Sequence, residues 1–205
     1  DDAVDALVDA NSNDVIDIQY HMRDGVDQMN LDNESDPSSR SLYYGILESG
    51  RGVMDGNQFR NQYNDLSSLW ANNPNYFKLR SLVDAEFDIS IKAKISNGEN
   101  ILVNTDVTSL NDISNREISV HTIIVEREIN NLTGINGDKN FQSVMKRMAP
   151  DASGHKFVKS WTAGETESVF GAWSFESLYD QSQLRVIIYV QDNKTKEVLQ
   201  TAYID

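Results

Sequence analysis

Phe87-Asp-Ile-Ser-Ile-Lys-Ala-Lys-Ile-Ser-Asn-Gly98 decides the fold class of this chain. Phe87, Ile89, Ile91, Ala93 and Ile95 alternate with Asp88, Ser90, Lys92 and Lys94. A period of two places the apolar set on one side of a pleated strand and leaves the polar set in water. Asn97-Gly98 then supplies the residue pair that best tolerates the positive φ angles of a tight hairpin, so residues 101–107 are expected to return antiparallel.

The same logic extends downstream. Residues 117–125 become apolar on both alternations in their later half, as a strand buried on both faces requires. Val169-Phe-Gly-Ala-Trp-Ser-Phe175 is a further strand candidate. Leu184, Val186, Ile188 and Val190 face one way, and Asp192-Asn-Lys-Thr-Lys196 turns the chain into a last strand over 197–204. Phe141, Val144, Met145 and Met148 fall at helical spacing and predict one helical interruption, stopped by Pro150. About seven short strands with regular turns predict an antiparallel β-sandwich over 76–205.

Upstream of Trp70-Ala-Asn-Asn-Pro-Asn75 the character changes. Residues 1–70 carry a net charge of −10, against −4 for 71–205. Ala3, Ala6, Leu7 and Ala10 predict a helix, and Val15-Ile-Asp-Ile-Gln-Tyr20 a strand. Asp36 as N-cap and Pro37 at the first helical position open a second helix running through Leu47, which Gly45 weakens by about 1 kcal/mol relative to Ala. Val53-Met54 reads as a very short strand, and Phe59, Tyr63, Leu66 and Trp70 mark one face of a third helix. The expected class is therefore α+β, with an α/β segment over 1–75 followed by the sandwich over 76–205.

Composition narrows the function classes. The 205 residues include 32 acidic and 18 basic side chains, for a net charge of −14. That balance argues against nucleic acid, whose phosphates need clustered Lys and Arg, and against a polybasic membrane contact. With no cysteine, the chain itself has no disulfide, thiolate metal site or thiol chemistry. Its longest apolar runs are strand-sized, so no membrane span is expected. It opens on Asp1 rather than Met and reads as the start of a processed or trimmed product.

Val144-Met-Lys-Arg-Met-Ala-Pro-Asp-Ala-Ser-Gly154, followed by Arg185-Val-Ile-Ile-Tyr-Val-Gln-Asp-Asn-Lys-Thr-Lys-Glu-Val-Leu-Gln-Thr-Ala202, resembles the C-terminal module of a Bacteroidota surface-protein family named for a Porphyromonas outer-membrane antigen. Val15-Ile-Asp-Ile-Gln-Tyr-His21, Arg40-Ser-Leu-Tyr-Tyr-Gly-Ile46 and Val53-Met-Asp-Gly56 stand in the expected order upstream. The resemblance implies a thioredoxin-like domain followed by an immunoglobulin-like β-sandwich, often in lipoproteins or type IX secretion cargo. Here the thioredoxin-like part would be incomplete, since the family's opening strand and Cys-x-x-Cys would fall upstream of Asp1. Ser49-Gly-Arg-Gly52 also stands where that fold usually places a proline.

The implied function is non-enzymatic: a cell-surface or secreted binding and adhesion module of an outer-membrane assembly, with protein or glycan partners at the cell envelope. A thiol–disulfide oxidoreductase descendant with its cysteines upstream, and a glycan-binding accessory protein, are the alternatives. No catalytic, cofactor or metal residues are assigned. His21, His121 and His155 have no ligand spacing and read as structural, and Gly50-Arg-Gly52 lacks the context of a phosphate loop. Asp32, Glu34 and Asp36 read as a solvated acidic loop, and Glu126-Arg-Glu128 as edge charge. Trp161, Tyr43 and Tyr44 are the candidate binding residues, as aromatics able to stack on a sugar or anchor a partner. Trp173 is expected in the core.

Overall fold

The computed structural model describes Val8 and residues 15–22, 27–56, 76–134 and 137–205. The helix expected over 3–10, except Val8, the helix over 59–70 and the 70–75 boundary lie outside the described residues.

Among the described residues, eight strands build two antiparallel sheets. The smaller has the order β1 (Phe87–Ser96), β2 (Asn100–Ser109), β6 (Thr166–Ser174). The quoted hairpin forms in the expected register, from Phe87↔Ser109 to Ser96↔Asn100, with Asn97 and Gly98 both at positive φ. The larger sheet is organised by β3 (Ile113–Ile129). One edge of β3 pairs with β7 (Leu184–Asp192), which in turn pairs with β8 (Val198–Ile204). Its other edge pairs with β4 (Phe141–Ala149) in the later half and β5 (His155–Trp161) in the earlier half.

The sheets pack face to face around Phe87, Val103, Ile118, Trp161, Trp173, Val186 and Ile188. Burying an Ile or Val of this kind contributes about 1.5–3 kcal/mol. Trp173 is core, as its alternation with Val169 requires.

The outer face of the larger sheet is covered too, which explains why β3 and β7 are apolar on both alternations. Ile16, Ile18 and Tyr20 pack on Ile123, Val125, Met145, Met148, Ile187 and Tyr189. Met29 packs on Ile129 and Val144. Helices α1 (Gln28–Asp32) and α2 (Ser35–Tyr44) belong to this layer. A third helix, α3 (Tyr76–Ser81), uses Arg80 to bind Asp55 at 2.8 Å and Glu197 at 3.1 Å, tying the 53–56 loop to the β7–β8 turn.

Several sequence expectations are corrected. Residues 141–149 are strand, not helix: they pair antiparallel with β3, and that ladder shifts register between Ile124 and Val125. The extra residue turns Met145 and Met148 onto the same outer face, and that spacing imitates a helical stripe. The 15–20 run is extended but bridges β4 only at Gln19, whose N–H donates to Ser143 O (2.9 Å) while its carbonyl accepts from Met145 N (3.0 Å). Val53-Met54 forms no strand. Among the described residues, 15–56 therefore form no sheet of their own. The second helix ends at Tyr44 because Gly45 takes the left-handed conformation that terminates helices.

Candidate functional site

Helix α2 aims Arg40, Tyr43 and Tyr44 at β7 and the turn that follows it. Arg40 is 4% exposed. Its Nη2 donates to the Tyr44 hydroxyl at 2.7 Å and to Gln191 Oε1 at 2.9 Å. The guanidinium lies 4.5 Å from the Tyr43 ring centroid, 4.8 Å from Tyr44 and 5.9 Å from Tyr189. Gln191 completes the net, donating from Nε2 to the Tyr44 hydroxyl (2.8 Å) and to Lys196 O (2.7 Å). Lys196 in turn donates to the Tyr43 carbonyl, and its ammonium sits 4.9 Å from that ring. Tyr43 is half-buried between the two cations.

Among the described residues no carboxylate comes within ion-pair distance of Arg40. π faces and neutral acceptors hold the cation instead, a role suited to a planar, weakly hydrated guanidinium. Burial acts to lower its pKa, but the surrounding Tyr189, Tyr44 and Tyr20 hydroxyls outweigh that and raise it, so Arg40 stays charged. Burial pushes the Tyr20 and Tyr189 hydroxyls, bonded to each other, well above the usual tyrosine range.

His121 completes the cluster from β3. Its ring stacks on Tyr189 at 4.6 Å and 30°, and neither ring nitrogen has a hydrogen-bond partner among the described residues. Burial first, then the Arg40 charge, depress its pKa well below the ordinary value, so the ring is neutral. Neither Arg40 nor His121 was singled out as a site residue by sequence reasoning. The Arg40-Ser-Leu-Tyr-Tyr44 spacing, which puts a cation and two aromatics on one helical face, was the available signal for the first.

A second buried polar centre joins α1 to the sheet. Lys146 Nζ lies 3.0 Å from Asp32 and 3.6 Å from Glu126, and 4.5 Å from the Tyr179 ring centroid. The Tyr179 hydroxyl donates to Asp32 (2.7 Å), while Glu126 Oε1 accepts from the backbone N–H groups of Tyr179 (3.0 Å) and Asp180 (2.7 Å). Asp36 accepts from Met148 N at 2.8 Å and Asn33 Nδ2 at 2.7 Å. Two expectations are corrected here. The Asp32 side chain, 6% exposed, and the buried Asp36 are anchors rather than solvated loop acids, and Asp36 lies inside α2 rather than capping it. Glu126 is fully buried at a central strand, not an edge charge.

The three aromatic candidates separate in space. Tyr43 and Tyr44 meet edge to face at 5.0 Å within the arginine cluster. Trp161 lies in the sandwich core, 1% exposed, edge-on to Phe87 and Phe157 at 5.4 and 5.5 Å. It presents no surface to a partner, because β5 turns Phe157, Lys159 and Trp161 inward while Lys156, Val158 and Ser160 face out.

His21 binds Asp27 (2.8 Å), and His155 Nε2 contacts Phe170 O (2.9 Å). Among the described residues no group of three or more His, Asp or Glu could hold a metal ion. No described helix is long and apolar enough to cross a membrane.

No family model and no curated protein matches the chain. Among solved structures, HBP35 of Porphyromonas gingivalis aligns with a TM-score of 0.68 at 9% identity, covering 98% of this chain and 67% of that one. A domain of the outer membrane lipoprotein Omp28 from Porphyromonas gingivalis aligns at TM-score 0.44 and 15% identity, over 60% of this chain and 89% of that one. Bacteroides uniformis β-glucuronidase aligns at TM-score 0.35 and 14% identity, over 56% of this chain and 12% of that one. The last two alignments are too loose to carry an argument. The first shows that the fold seen here, spanning nearly the whole chain, is shared with HBP35.

Proposed function

We propose that this chain is a non-enzymatic binding module of a Bacteroidota cell envelope, exposed at the outer-membrane surface or secreted, with a protein or glycan partner. The fold shared with HBP35 along 98% of the chain is the observation that carries this reading. The charged groups add support, since Arg40, Lys146, Asp36 and Glu126 are buried, and the Asp32 carboxylate is bound to Lys146, so they are spent on packing one layer to the next. The same reading takes 1–75 as the remnant of a thioredoxin-like domain and 76–205 as an immunoglobulin-like sandwich. The edge of the Tyr43–Tyr44 pair, half-buried beside Lys196, is the aromatic surface a partner would meet.

Protease shaving of intact cells of the native source tests the location. The expected result is loss of the protein from intact cells without loss of a cytoplasmic marker; protection until lysis overturns the reading. An insulin-reduction assay on the full-length native protein is expected to show no turnover. Titration with a panel of envelope polysaccharides separates the glycan-binding alternative from a protein partner.

A further inference from the structure

We propose that His121 is an acid-sensitive latch, whose protonation releases α2 and the 150–154 loop from the outer face of the larger sheet. The ring is 2% exposed, stacked on Tyr189, and has no acceptor at either nitrogen among the described residues. Gly154, at φ +68°, is pressed against its Nδ1 side, where an added β-carbon would lie 2.9 Å from Nδ1 and 2.6 Å from Val120 O.

In the closed arrangement neither ring nitrogen meets an acceptor among the described residues. Tyr189 of β7 stacks on the ring, and its hydroxyl is bonded to Tyr20 of the 15–22 segment. From α2 comes the charge of Arg40, a permanent cation that bears on the ring and lacks a carboxylate partner among the described residues. Asp36 is the acid of α2, and its Oδ2 is committed to Met148 N and Asn33 Nδ2, with Arg147 at 3.9 Å. On the loop side Asp151 is exposed and accepts from Ser153 N, and His155 Nε2 contacts Phe170 O. A proton on His121 therefore creates a second buried positive charge beside Arg40, with two N–H donors unsatisfied. Lifting α2 away removes Arg40 and admits water to the ring.

The direction follows from linkage. The ring is held neutral when closed and takes a proton near the ordinary histidine value when open, so opening is favoured as pH falls below that value. For a latch that stays neutral when closed, the opening equilibrium rises about thirtyfold between pH 7.5 and 5.0, taking an open-state pKa of about 6.5.

Amide hydrogen exchange on the full chain at pH 7.5 and 5.0, corrected for intrinsic rate, tests this. The expected result is an approximately thirtyfold gain in opening for residues 27–44 and 150–154, with β2 and β6 unchanged. His121→Phe, which keeps the stacking on Tyr189, is expected to abolish the gain. Should that variant fail to fold, the NMR titration of the His121 ring in the unaltered protein decides: it must protonate together with the opening. Absence of opening at pH 5.0, equal opening in His121→Phe, or opening while His121 stays neutral overturns the proposal.

Discussion

Lys146 carries its ammonium where water barely reaches it, 2% exposed, between two carboxylates that are themselves buried. Burial acts to raise the Asp32 pKa, but hydrogen bonds from Gln28, Tyr179 and Lys146 outweigh it and lower it, so Asp32 is ionised. Burial wins at Glu126, whose pKa is raised despite its backbone donors. The two acids depend on one cation in different degrees, and removing that cation strands both. Lys146→Met is expected to destabilise the protein by about 3–5 kcal/mol, the usual result of leaving a buried charge uncompensated. A fall in the urea midpoint with an unchanged slope checks this, and adding Glu126→Gln is expected to recover part of the loss. None of this was legible in the sequence. Lys146 sits in an ordinary-looking Met-Lys-Arg run, and only the β4 bulge turns it toward α1.

At the scale of elements, legibility tracks regularity. β1, β2 and their turn keep strict alternation, and the hairpin appears in the expected register. β4 breaks its alternation at the bulge, so the rule that identified β1 misassigns it. The junction between β4 and β5 is also irregular: both follow the same edge of β3, and residues 150–154 loop out between them. Gly154 ends that excursion at positive φ, with the side on which a β-carbon would stand turned toward Val120 O. Gly154→Ala adds a β-carbon 2.6 Å from a backbone oxygen that cannot rotate away. The expected cost is about 1–3 kcal/mol, from overpacking together with the left-handed backbone. Thermal unfolding checks it, and Gly98→Ala, which has open space around its β-carbon, isolates the backbone part of the penalty.

Across the whole molecule, the larger sheet is buried on both sides, and this explains both its composition and its dependence on the N-terminal layer. A sandwich whose outer face met water would alternate polar residues along β3 and β7, as β1 and β2 do on theirs. Instead Ile123, Val125, Ile187 and Tyr189 point outward and are covered by Ile16, Ile18 and Tyr20. The doubled apolar pattern signals a covered sheet, while the covering layer itself mimics a sheet-bearing α/β unit because its apolar runs are short and its tertiary partner lies more than a hundred residues away. This layering makes residues 15–56 structurally part of the sandwich, whatever their ancestry. A chain beginning at residue 57 is therefore expected to expose an apolar face that includes Met145, Met148 and Tyr189, and to leave Lys146 without Asp32. Such a face exceeds what soluble monomers leave uncovered and should bind hydrophobic dye and self-associate. Light scattering and dye binding of the truncated chain against the 205-residue chain measure this. In the intact chain, the outer layer and the inner core should unfold in one transition, with far-UV signal and tryptophan fluorescence coincident. Two separated transitions, or a truncated chain that stays monomeric without dye binding, would show the layer to be an independent domain resting on a self-sufficient sandwich.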